Sequence, residues 1–271
     1  MKEATFAEEL ERAALDVPRG ALLLAREIAY PRLNVAYYLA RLDELAAGAA
    51  AAVDRAGEAA PQALASFLFE QQRFRGNTTA YSDPRNSFLN EVLERRLGIP
   101  ITLSMLYLAL AQRLGLEAYG INLPGHFIVG ARQSADEVLL DPFHGGGRLT
   151  LRDCKRLVQQ SMGYEGPLDP AWLEPAAPRA ILARMLHNLR LVYVQREQWD
   201  EALAVITRLR LLQPDTPDHV RDLGLIYFEQ GRLHEAAHHL ETYLRLAPDT
   251  PEAAAIRQNF QPEFARWARL N

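Results

Sequence analysis

The chain has 271 residues, 49% of them hydrophobic, and its 30 basic and 34 acidic side chains leave a formal charge of −4. That length has room for two domains, and that apolar share for a sizeable core. Basic residues come in small clusters interleaved with acids, such as Arg73 with Arg75 and Arg95 with Arg96, which excludes a nucleic-acid footprint; the one cysteine, Cys154, excludes an intrachain disulfide and fits a reducing compartment.

The opening run MKEATFAEELERAAL carries acids at a helical period, not the basic-then-apolar order of a secretory leader. No stretch reaches ~18 uninterrupted apolar residues, so no membrane span is expected and the cytoplasm is the expected location. Residues 1–60 hold three or four amphipathic patterns, among them Leu22, Leu23, Leu24 and Ile28, then Ala36, Tyr37, Leu39, Leu42 and Leu45. Pro61 to Phe74 predicts a further helix closed by Gly76-Asn77, and Ser87 to Arg96 another with Ser87 as its N-cap. Pro100 fits a first helical turn, where its missing N–H would be unpaired anyway. From Ile101 to Leu114 the apolar residues are nearly continuous, which predicts a helix buried all round with Ser104 about one turn in. Glu117 to Asn122 is a candidate first strand.

Two short β-type runs follow, His126 to Gly130 and Glu137 to Asp141, joined by the polar link 131–136. A hairpin centred on Gln133 and Ser134 places His126 directly opposite Asp141 on one face, with β-carbons about 4.5–5.5 Å apart. A carboxylate at that distance accepts a proton from an imidazole and fixes its tautomer. The Gly145-Gly146-Gly147 run lacks the strand and helix context of a dinucleotide site and reads as a loop. Cys154 reads as a packing residue, within a last helix from Asp153 to Met162.

Three pieces in this order, DPRNSFLNEVLERRLGIPITLS, PGHFIV and LLDPFHGG, resemble the transglutaminase-like N-terminal domain of the bacterial SirB-type proteins. The resemblance covers about residues 1–165. It implies a papain/transglutaminase-like core: helices on a small antiparallel sheet, in an α+β, mostly helical protein. In catalytic members of the wider superfamily Cys, His and Asp occupy positions matching Ser104, His126 and Asp141, so the resemblance implies a triad whose nucleophile is Ser here. A helix dipole does not ionise a serine hydroxyl; such a Ser needs His126 in reach as a general base.

Gly163 to Pro178 is rich in Pro, Gly and Glu with no long period, which places a linker over 166–178 between a first domain, 1–165, and a second, 179–271. The second domain repeats every 34 residues. Leu189 recurs as Leu223, Tyr193 as Tyr227, Glu201-Ala202 as Glu235-Ala236, Leu209 as Tyr243, and Pro214 to Pro217 as Pro248 to Pro251. The pattern resembles the α-α tetratricopeptide repeat, here two repeats plus a partial capping helix over Glu252 to Leu270. About three repeats close a core, so the array is expected to lean on the first domain. The resemblance places Leu191, Val194, Leu225 and Phe228 on the inner face, where such repeats bind peptides; that face is expected either open to a peptide or buried against the first domain. His234-Glu235-Ala236-Ala237-His238 matches HExxH, but the repeat already accounts for Glu235 and Ala236. A third zinc ligand among Glu241, Glu252 and Glu263 carries no motif. No metal or other cofactor is expected.

Two function classes follow. One is a transglutaminase-like pseudoenzyme or regulatory interaction module that binds a peptide or protein partner, favoured by the Ser replacement and the repeats. The other is an acyl-transfer hydrolase of amide or ester bonds. There His126 takes the Ser104 proton, Ser104 attacks a carbonyl, and Asp141 steadies the imidazolium. The G-x-S-x-G elbow of ordinary α/β-hydrolases is absent.

Overall fold

A computed structural model describes residues 4–133 and 136–260. Two compact units divide between Asn188 and Leu189. Among the described residues no helix is long and apolar enough to cross a membrane.

The first unit opens with helices α1 (Phe6–Leu10), α2 (Val17–Ile28) and α3 (Val35–Ala56). Thr5, Asp16 and Asn34 start them, each side chain accepting a backbone N–H of the first turn. Helix α4 (Ala60–Ser66) then widens into a π-type turn over Phe67–Gln71. The Gln72 N–H reaches back five residues to the Phe67 carbonyl. That wider turn buries Phe67, Leu68 and Phe69 together, which divides the single helix expected from Pro61 to Phe74. Gly76 does not close that helix. It pairs in a short parallel ladder of β1 (Arg75–Gly76) with β2 (Leu97–Gly98).

Ser87 caps no helix. Pro84–Ser87 forms a 3-10 turn, and α5 (Leu89–Arg95) starts after Phe88, without a side-chain cap. The reason lies in Asn86, buried two positions before Phe88. Its amide donates to the Ala80 and Tyr81 carbonyls at 2.7 and 3.1 Å and accepts from Asn77 at 3.0 Å. Its own carbonyl accepts the Thr102 hydroxyl at 2.7 Å. This buried network holds the 77–87 segment in a turn.

Helix α6 (Pro100–Arg113) is the central element, buried almost throughout as its unbroken apolar sequence requires. It touches α2, α3, α4 and α5, and also the sheet. Each fully buried Leu or Ile contributes roughly 1.5–3 kcal/mol, so Ile101, Leu103, Leu106 and Leu110 alone anchor it firmly.

The sheet is an antiparallel meander in the order β3 (Ala118–Ile121), β4 (Ile128–Gln133), β5 (Asp136–Asp141), β6 (Gly147–Leu149). In the β4–β5 hairpin Gln133 pairs with Asp136 and Val129 with Leu140. That register is two residues away from the one expected, so His126 does not face Asp141 directly. A shift of two preserves the faces, because side chains alternate with period two. Helix α7 (Leu151–Met162) follows, buries Cys154, and ends the stretch expected as the first domain.

The stretch expected as a linker, 166–178, is packed. Ile121 bridges to Pro175, and the Ala176 N–H donates to the Gly120 carbonyl at 2.8 Å. Leu168, Trp172 and Leu173 cover a buried cluster of Ile121, Leu123, Ile128, Cys154 and Val158. The division between units therefore comes later, inside α8 (Pro178–Gln195).

The second unit adds α9 (Trp199–Leu212), α10 (Pro217–Glu229), α11 (Leu233–Leu246) and α12 (Pro251–Asn259). The 34-residue period survives in the backbone. Gln198 N–H donates to Tyr193, and 34 positions later Arg232 N–H donates to Tyr227, at 2.9 and 2.8 Å. Ala202 and Ala236 are both fully buried. Val220, Leu240, Tyr243, Ala253 and Ile256 form the core around the later helices. The expected capping helix is described as α12; residues 261–270 of that expectation lie outside the described residues.

Candidate functional site

His126 stands at the end of the tight turn Leu123-Pro124-Gly125-His126, where its N–H donates to the Leu123 carbonyl at 3.1 Å. Gly125 is needed there twice over. Its φ of 74° is left-handed, and a β-carbon would lie 2.3 Å from the Ser161 β-carbon. Asp141 ends β5 and caps the 3-10 turn Pro142–His144, accepting the N–H groups of Phe143 and His144 at 3.1 and 3.4 Å.

Two imidazoles converge on that carboxylate. His126 Nε2 lies 3.1 Å from both oxygens, and His144 Nδ1 lies 2.7 Å from Oδ2. The two rings stack at 5.7 Å and 21°. Phe143 presents an edge-on ring to each histidine, and Tyr81 packs edge-on against Phe143. His126 and Asp141 are buried, whereas the His144 side chain is 57% exposed. Burial pushes the Asp141 carboxyl up. The hydrogen bond and charge of His126, then those of His144, outweigh it and hold the carboxyl below the ordinary carboxylate range.

Ser104 is fully buried one turn into α6, and its hydroxyl donates to the Phe127 carbonyl at 3.3 Å. Among the described residues no hydrogen bond joins Ser104 to His126. The structure thus brings His126 and Asp141 together and ties Ser104 to the backbone next to the histidine. His144 is the member that sequence reasoning missed. Its signal was its position three residues after Asp141 behind a proline, the spacing at which a turn returns a side chain to its own cap. His126, Asp141 and His144 place their nitrogen and oxygen donor atoms within 4.8 Å of one another. Asp141 and His144 also line a groove of about 230 Å³ with Arg148, Asp153 and Arg156.

In the second unit Leu191 and Val194 are exposed. Leu225 joins the apolar cluster instead, and the Phe228 ring meets Phe260 edge-on at 4.8 Å. The four do not form one open strip. His234 and His238 are exposed on α11, and the neighbouring His239 ring stacks on Tyr227. Glu263 lies outside the described residues.

The family model of the transglutaminase-like superfamily matches residues 36–187, more than half of the chain. The chain belongs to the transglutaminase-like superfamily. A tetratricopeptide-repeat model matches residues 189–261, so the transglutaminase-like domain is followed by repeats in the SirB-type arrangement. A UPF0162 protein of Xylella fastidiosa (strain 9a5c) is 39% identical over 198 residues, 72% of this chain and 70% of that one. A UPF0162 protein of Vibrio cholerae is 29% identical over 251 residues, 90% of this chain and 91% of that one. Human F-box only protein 21 is 32% identical over 176 residues, 60% of this chain and 27% of that one. Both residues of the buried His126–Asp141 pair lie within the transglutaminase-like match, as do Ser104 and His144.

Proposed function

We propose that this protein is a non-catalytic, regulatory interaction module, in which a transglutaminase-like domain and tetratricopeptide repeats bind a peptide or protein partner. One observation carries the reading: the Ser104 hydroxyl donates to the Phe127 carbonyl at 3.3 Å. A hydroxyl whose proton is engaged by a main-chain carbonyl is not being deprotonated by a base, and in a fully buried position it has no route to an incoming carbonyl. Stacked repeats of this type are a common protein-binding surface, and we assign the exposed Leu191 and Val194 to partner contact. The single buried cysteine fits a reducing, cytoplasmic setting.

The acyl-transfer hydrolase is supported by the His126–Asp141 pair, which orients an imidazole as a working dyad does. In that reading Ser104 must turn from Phe127 toward His126. A serine-directed fluorophosphonate probe separates the two. Ser104 stays unmodified in an interaction module; specific labelling that disappears in His126→Ala establishes the hydrolase.

A further inference from the structure

We propose that His126, Asp141 and His144 bind one divalent transition-metal ion of the zinc class, through His126 Nε2, His144 Nδ1 and an Asp141 carboxylate oxygen. This goes beyond the interaction reading and does not depend on the role of Ser104. Two neutral imidazoles and one carboxylate form a donor set used by both catalytic zinc and non-haem iron sites, and it leaves coordination positions open. Donors around one such ion, each at about 2.0–2.2 Å, lie roughly 3–3.5 Å apart. The Asp141 oxygens already lie 3.1 Å from His126 Nε2 and 2.7 Å from His144 Nδ1, and all three donor atoms fall within 4.8 Å.

The nitrogens that now meet the carboxylate are those an ion would take. Each ring then carries its proton on the opposite nitrogen, and the metal stands where the shared protons were. Backbone N–H groups of Phe143 and His144 donate to Asp141 Oδ1, leaving Oδ2, 3.1 Å from His126 Nε2 and 2.7 Å from His144 Nδ1, as the oxygen for the ion. Access is present as well. His144 is exposed, and with Asp141 it lines a groove open to solvent.

The test is calorimetric titration of the tag-free, chelator-treated 271-residue chain with zinc chloride, alongside His144→Ala, His144→Asn and the double variant His234→Ala/His238→Ala. Circular dichroism checks that each variant keeps its helices. The expected result is one zinc per chain, weakened at least about tenfold in both His144 variants and unchanged in the double variant. Cobalt(II) should give ligand-field bands that the His144 variants lose. Absence of saturable zinc binding overturns the proposal. So does binding that survives in folded His144 variants, or that only the double variant removes, which would place the ion on the repeat helix.

Discussion

His126 Nε2 lies 3.1 Å from each carboxylate oxygen of Asp141, although their strands are not paired at those positions. The contact is diagonal: His126 precedes β4, and Asp141 ends β5. Asp141 is therefore the hub of the site, receiving two imidazoles and two backbone N–H groups.

Replacing Asp141 by Ala strands the buried His126 Nε2 and the half-buried N–H groups of Phe143 and His144, while the exposed His144 ring turns to water. Leaving buried donors without an acceptor costs about 1–3 kcal/mol each, with partial relief by water. Asp141→Ala should lose about 3 kcal/mol of stability in urea unfolding. A loss below about 0.5 kcal/mol would mean that the hub does not hold the turn.

Gly125→Ala should be damaging although the residue itself carries no side chain. The substitution meets the Ser161 β-carbon at 2.3 Å and forces a left-handed backbone. Strain of this kind costs on the order of 1–3 kcal/mol before the clash is counted. Denaturant midpoints check the size of the loss. His126 imidazole NMR shifts should move with it, because the turn sets the ring's position.

In the repeats, Glu197 and Gly231 are 34 residues apart and both left-handed, with φ of 55° and 72°. Glycine suits that conformation and glutamate is strained in it. Glu197→Gly should leave the protein more stable by about 0.5–1 kcal/mol, whereas Gly231→Ala should destabilise it by about 1 kcal/mol. Thermal melts of the two variants should therefore shift in opposite directions.

His219 is buried, with Nε2 hydrogen-bonded to the Gln213 side chain at 3.0 Å. Burial holds its imidazole below the ordinary histidine range. A depressed folded-state value means the unfolded chain takes up the proton more readily. The contribution is then fully present above the ordinary histidine value and is lost as pH falls through the folded one. Urea midpoints measured downward from pH 7.5 should decline less steeply in a folded His219→Gln variant than in the parent.

Much of this was legible in the residues. The 34-residue recurrence gave the repeats, and the unbroken apolar run gave α6. The two short β-type runs on either side of the polar link gave the hairpin. Its register was not legible, because Gln133 to Asp136 offers several turn centres and no glycine to choose between them. Leu168, Trp172 and Leu173 made the 166–178 stretch a packed strap; three apolar residues in irregular spacing show no period. His144 stands just before the Gly145-Gly146-Gly147 run, and its partner is its own cap, a contact that no periodicity marks. Ser87 looked like a cap because the Asn77–Asn86–Thr102 network depends on residues distant in sequence.

The most direct test is neutron diffraction from a deuterium-exchanged crystal, which places the exchangeable hydrogens of Ser104 and His126. The expected map shows deuterium between Ser104 Oγ and the Phe127 carbonyl. Deuterium shared instead between Ser104 Oγ and a His126 ring nitrogen would contradict it and make the serine a nucleophile in waiting.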